Sequence, residues 1–263
     1  MPQKSCYSAG YGFERLSATK AWHFGLPPMK KGLSRQGKRG LFVTFEGGEG
    51  AGKSTQIDLL AQALQKQGEQ TLATREPGGS PGAEAVRHVL LSGAAEPLGA
   101  EAEAMLFAAA RADHVDTVIR PALDRGQTVL CDRFYDSTRV YQGAQGRVSM
   151  ALLYRLEAVA CGDCRPDLTL ILDIDPAEGL RRAAARRRGH EIPDRFEKED
   201  LSLQKYRRGA YLAIASEEPD RCRVIDAARP RQAVHQDVLR LVLEKLAEPR
   251  RPLGGAGEIA AQS

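Results

Sequence analysis

Gly47-Gly48-Glu49-Gly50-Ala51-Gly52-Lys53-Ser54 decides how this chain is read. The octapeptide fits G-x-x-x-x-G-K-[ST], the Walker A pattern, and Thr55 extends it. An apolar, β-branched run, 41–45 (Leu-Phe-Val-Thr-Phe), precedes it. A helical pattern follows, with Ile57, Leu59, Leu60, Ala63 and Leu64. Strand, glycine loop and helix together are the context the motif needs. Glycines let backbone N–H groups curl around phosphate oxygens, and the helix N-terminus adds the positive end of its dipole. In this reading residues 47–55 cradle a nucleoside triphosphate, Lys53 reaches its β- and γ-phosphates, and Ser54 ligates Mg²⁺.

The pattern outward from this loop alternates strand and helix. Strands are expected at 41–46, 70–74, 127–131, 168–174 and 222–225. Helices are expected at about 53–67, 82–91, 100–120 (stopped by Pro121), 149–161, 177–187, one ending near 216, and 231–247. Strands such as 168–174, Leu-Thr-Leu-Ile-Leu-Asp-Ile, read as buried on both faces. That suits a five-stranded parallel sheet flanked by helices, an α/β architecture. Residues 1–39 lack periodicity and read as a disordered basic arm, 40–248 as one domain, and 249–263 as a flexible tail.

The net charge of +4 is unevenly placed. Residues 1–40 hold five Lys and three Arg against Glu14, which leaves −3 for the remainder. The body is therefore not a basic nucleic-acid platform, and no nucleic-acid partner is expected. No apolar run approaches the ~20 residues of a membrane span. Five scattered cysteines fit a reducing compartment, so a cytoplasmic location is expected. Cys161-Gly-Asp-Cys164 lacks a second ligand pair for zinc and reads as an incidental pair at a helix end.

A Walker A loop alone does not choose among nucleotide-binding proteins. The guanine-reading N-K-x-D loop needs asparagine, and this chain has none. Two further motifs leave strands two and three. The first is Thr74-Arg75-Glu76-Pro77-Gly78-Gly79 and the second Asp132-Arg133-Phe134. Asp132, at the end of an apolar strand, can hold Mg²⁺ or its waters, and Arg133 can grip a phosphate bidentately.

These motifs, with Phe107-Ala-Ala-Ala-Arg111, Tyr135-Asp-Ser-Thr138, Tyr141-Gln142-Gly143 and Arg165-Pro-Asp167, resemble the thymidylate kinase family across about 41–247. The resemblance implies a P-loop nucleoside-monophosphate kinase fold, transfer of a phosphoryl group from ATP with Mg²⁺ to dTMP, and a homodimer. It places Glu49 at the sugar 3′-hydroxyl, Phe107 against the thymine ring, and Arg111 on a thymine carbonyl. Thr138 falls near the N3 edge, Tyr141 against the deoxyribose, and Gln142 at a further acceptor contact. Arg87 and Arg133 fall on the acceptor phosphate, with Arg75, Glu76 and Pro77 in the loop beside it. Some relatives carry a catalytic arginine in the P-loop. Gly50 stands there in this chain, so the resemblance implies a lid arginine from about 186–197, namely Arg186 or Arg188 supported by Arg195. The nucleophile would be a phosphate oxygen largely ionised at neutral pH, its second pKa being about 6, so no general base is required. Two rivals remain open. One is a P-loop kinase with another nucleotide or deoxynucleoside acceptor; a nucleoside hydroxyl acceptor would need a base, for which Glu76 is the candidate. A non-catalytic nucleotide-binding regulator would be expected to lose Lys53 or the lid arginines, and both are present.

Overall fold

Strand β1, Phe42–Glu46, is buried at every position and lies at the centre of a five-stranded sheet. Its neighbours are β3, Thr128–Asp132, and β4, Leu168–Asp173, both parallel to it. Outside them lie β2, Thr71–Arg75, against β3, and β5, Cys222–Asp226, against β4, giving the order β2-β3-β1-β4-β5. The computed structural model describes residues 38–143, 147–187 and 200–249, with the side chains of 186 and 187 outside that description. The described residues belong to one compact unit, Ser34–Ser263.

Helices cover both faces, as a doubly buried parallel sheet requires. On one face Val43, Phe45, Leu170 and Leu172 meet Ile57, Leu60 and Leu64 of α1, Lys53–Lys66, and Val234, Val238 and Val242 of α9, Arg231–Ala247. On the other, Phe42, Val129 and Cys131 meet Ala108 of α3, Ala100–His114, Leu123 of α4, Arg120–Asp124, and Ala160 of α6, Met150–Cys161. The remaining helices are α2, Pro81–Leu91, α5, Tyr135–Tyr141, α7, Pro176–Arg187, and α8, Leu201–Glu217. The five-stranded parallel sheet flanked by helices expected from the sequence is present.

Two details differ from expectation. The helix expected at 100–120 does not stop at Pro121; a π-helical turn at Val115–Ile119 leads into α4. Proline lacks the N–H of the regular ladder, and the wider turn lets the helix restart with Pro121 in its first turn, where no donor is needed. Helix α5 was not expected, because Tyr-Asp-Ser-Thr-Arg-Val-Tyr has weak helical propensity and no apolar periodicity. Cys161 and Cys164 are both buried, and burial pushes their thiols up to about 12 and about 11, away from redox reactivity.

Candidate active site

The loop between β1 and α1 curls over the C-terminal edge of the sheet. Gly52 is left-handed, with φ of 92°, and no side chain caps α1, so the helix opens with its N–H groups toward the loop. Lys53 is buried, and its Nζ donates to the carbonyls of Gly47 (3.1 Å) and Gly48 (2.9 Å). Burial, followed by the nearby Arg133 charge, lowers its pKa, while Glu49, Asp132 and Glu46 oppose the shift. Ser54 Oγ donates to Asp132 Oδ2 at 2.7 Å. This pairs a hydroxyl with a carboxylate, the hard oxygen donors that suit Mg²⁺. Gly50 has φ of 68°, and a Cβ there would collide with the Gly179 carbonyl oxygen of α7. The backbone of α7 therefore fills the space that an arginine at position 50 would need.

Beside the loop is a cleft of about 240 Å³. It gathers Glu49, Arg75, Glu76, Pro77, Arg87, Phe107, Arg111, Arg133, Thr138, Tyr141 and Gln142, with Ser54 and Asp132 at the P-loop side. Every acceptor residue expected from the sequence thus lines one cavity. Sheet order explains the convergence. Adjacent strands β2, β3 and β1 all release their loops at the same edge.

Arg133 is the polar centre. Its Nη2 donates to Glu49 Oε1 at 2.5 Å and its Nη1 reaches the Gly47 carbonyl, Ser137 Oγ and Tyr211 OH, each at 3.2 Å. The Tyr141 hydroxyl also donates to Glu49 Oε1, at 3.0 Å. Burial works against ionisation of Glu49, but Arg133, Lys53, the Tyr141 hydrogen bond and Arg207 outweigh it and hold the carboxyl at about 2. Glu49 is therefore a fixed anion among cations, not a repulsive charge facing bare phosphates.

At the far wall, Arg111 Nε donates to Glu76 Oε2 at 2.7 Å and its Nη2 to Thr138 Oγ1 at 2.9 Å. Arg111 is 3% exposed, so this clamp fixes the guanidinium that faces the cleft. The other Glu76 oxygen meets His114 Nδ1 at 3.1 Å, and His114 Nε2 meets Thr74 Oγ1 at 2.8 Å. Both Glu76 oxygens are therefore engaged, which disfavours it as a general base for a hydroxyl acceptor. Gln142 Nε2 donates to Glu103 Oε1, Arg87 Nη1 to the Pro77 carbonyl, and exposed Arg75 pairs with Glu84. Phe107 packs among Leu91, Val140 and Tyr141 while still lining the cleft.

Of the expected lid residues, Arg186 falls within α7 with its side chain outside the described part, and Arg188 and Arg195 lie outside the described residues. A second cavity, of about 530 Å³, lies on the opposite side of the loop between Gly50–Gly52, Thr55, Arg182 and Ala227–Arg231. Arg182 donates there to the carbonyls of Ala227 and Ala228.

Sequence reasoning missed Glu46, Ser137, His114 and Tyr211. Glu46 carried a signal, a carboxylate ending a strand that is otherwise apolar or hydroxylic. His114 and Tyr211 carried none beyond helical spacing.

The model of the thymidylate kinase family matches residues 45–238. A thymidylate kinase of Bradyrhizobium sp. (strain ORS 278) is 58% identical over 214 residues, spanning 81% of this chain and 94% of its own. One of Rhodopseudomonas palustris (strain TIE-1) is 56% identical over 223 residues, spanning 84% and 96%. The crystal structure of thymidylate kinase from Ehrlichia chaffeensis superimposes with a TM-score of 0.62 at 32% identity, covering 78% of this chain and 99% of that one.

Proposed function

Since this chain belongs to the thymidylate kinase family, we propose that it transfers the γ-phosphate of ATP to dTMP, giving dTDP and ADP, across the boundary between P-loop and cleft. The observation that carries this reading is the cleft itself. It joins a base-sized wall of Phe107, Arg111 and Thr138 to the Arg133–Glu49 pair beside Lys53.

The loop 47–55 holds the triphosphate, with Lys53 turning from the Gly47 and Gly48 carbonyls to the β- and γ-phosphates. Arg133 and Arg87 hold the acceptor phosphate in line. Glu49 takes the sugar 3′-hydroxyl, Tyr141 packs on the deoxyribose, and Gln142 supports it from the Glu103 side. Pro77, Glu76 and Arg75 shape the loop that closes the base end. A phosphate oxygen is the nucleophile, so alignment and charge neutralisation supply catalysis. Ser54 and Asp132 would hold Mg²⁺, which supplies further neutralisation of phosphate charge. Arg186, Arg188 and Arg195 are the candidate lid arginines; Gly50 leaves that duty to them.

The reading extends to a kinase domain at 40–248 with an arm and a tail outside it, a cytoplasmic location, and a homodimer. Exposed Met105 on α3 and Tyr154 and Val159 on α6 support the dimer, as apolar side chains on neighbouring helices. No described helix is long and apolar enough to cross a membrane.

A coupled ATP-consumption assay with dTMP, dUMP, dAMP, dCMP, dGMP and thymidine offered separately tests the reading. Strong turnover with dTMP and little with thymidine is expected, with Lys53→Ala inactive but folded. Preference for thymidine or another monophosphate would overturn the assignments of Phe107, Arg111 and Thr138.

A further inference from the structure

Among the described residues, Arg133 is the only one other than glycine with a positive φ, 68°. This left-handed conformation is disfavoured for a residue with a side chain and persists where its surroundings impose it. Two backbone hydrogen bonds bracket it. Arg133 N donates to the Phe45 carbonyl at 2.9 Å, and Phe134 N donates to Glu46 Oε1 at 2.7 Å. The second Glu46 oxygen receives Ser137 Oγ at 2.6 Å and the Tyr211 hydroxyl at 3.2 Å. The two hydroxyls lie 2.9 Å apart. Each has one proton, and with Glu46 taking both, their lone pairs remain for Arg133 Nη1, 3.2 Å from each. One oxygen cluster thus fixes both the backbone and the guanidinium of Arg133.

Tyr211 comes from α8, the helix that follows the arginine-rich segment, and is 2% exposed. It stands behind the cleft lining and does not face the acceptor. The same helix lays Arg207 over the Tyr141 ring at 4.0 Å, so α8 touches the acceptor side at two points.

We propose that Tyr211 is a positioning residue of this kinase. With Glu46 and Ser137, its hydroxyl fixes the Arg133 guanidinium for the acceptor phosphate and makes that alignment depend on the seating of α8. The inference rests on Arg133 being an acceptor-phosphate ligand.

Tyr211→Phe removes the hydroxyl and keeps the ring. Binding of dTMP alone, by calorimetry without ATP, is compared for the wild type, Tyr211→Phe, Arg133→Ala and the double variant, with folding checked by circular dichroism. Tyr211→Phe is expected to weaken dTMP binding roughly tenfold and to leave the ATP KM within about twofold. In the Arg133→Ala background it is expected to add nothing. Wild-type affinity in Tyr211→Phe, or independent multiplication of the two effects, would overturn the proposal. Unchanged affinity in Arg133→Ala would instead overturn the Arg133 assignment on which it rests. Should Tyr211→Phe fail to fold, Ser137→Ala enters the same cycle, with the same expected non-additivity and the same refuting result.

Discussion

Glu46 and Glu49 are three residues apart, and their surroundings drive them in opposite directions. Burial, reinforced by the Asp136 carboxylate, raises Glu46 to about 7 despite hydrogen bonds from Ser137 and Phe134 and the charge of Arg133. Burial also resists ionisation of Glu49, yet the cations around it hold it at about 2. The signs for stability follow from linkage. The contribution of Glu49 is present above its ordinary value of 4.5 and is lost as pH falls toward about 2. That of Glu46 is fully present below 4.5 and is lost as pH rises through about 7. Glu46→Gln keeps an acceptor for Phe134 N and removes the titration. Relative to wild type, the variant is expected to be more stable at pH 8 than at pH 5, by at most about 3 kcal/mol. Urea unfolding at both pH values measures this, and an equal difference at the two would show that Glu46 does not titrate in the folded protein.

At the scale of elements, α5 is the piece whose placement the acceptor site most needs, since it carries Thr138 and Tyr141 and sits between Arg133 and Gln142. Its weak intrinsic propensity is offset by a buried ion network. Asp136 receives both terminal nitrogens of Arg221, at 2.7 and 2.8 Å, and lies 3.5 Å from Arg139. Arg139 in turn forks onto Glu157 of α6, at 2.8 and 2.9 Å, and onto Glu218 just beyond α8. Both guanidinium groups stack on Tyr135, at 4.8 and 5.1 Å. Removing one member of such a network leaves its partners charged and under-neutralised. Asp136→Asn is therefore expected to cost roughly 3–5 kcal/mol of stability and to raise the dTMP KM. A loss below about 1 kcal/mol on urea unfolding would mean that the pairs behave as exposed ones.

Across the whole molecule, strand order divides the labour. Strands β2, β3 and β1 carry the acceptor loops on one side of the P-loop, while β4 and β5 lead to α7 and to the Ala227–Arg231 turn on the other. Under the proposed function the nucleotide phosphates would meet over β1, where the glycine loop joins the two sides. The body carries a net −3, so under the proposed assignments attraction of anionic substrates would depend on local placement of Lys53, Arg133 and Arg87 rather than on bulk charge. The match to the family model begins at residue 45, downstream of the basic arm. Deleting residues 1–28 is expected to leave dTMP turnover unchanged and the melting temperature within about 2 °C. A large fall in either would place the arm inside the folded unit and refute the domain boundary at residue 40.

Apart from the acceptor-cleft residues, which only the family resemblance supplied, what the sequence by itself determined is the local chemistry: a phosphate loop between strand and helix, and five strands, of which the outer β2 and β5 are only partly buried. These are short-range patterns, legible because Gly47 through Thr55 and Asp132-Arg133 act through neighbours in the chain. Only the tertiary structure decided which polar group answers which. The Glu46–Tyr211 contact spans 165 residues and the Arg111–Glu76 clamp spans 35. No periodicity encodes such pairings, because a buried carboxylate accepts from whatever donor the packing delivers. The left-handed turn at Arg133, the helix built on buried charges at 135–141, and the opposite pKa shifts of Glu46 and Glu49 all depend on those deliveries. They appear only when the sheet has assembled and water has been excluded.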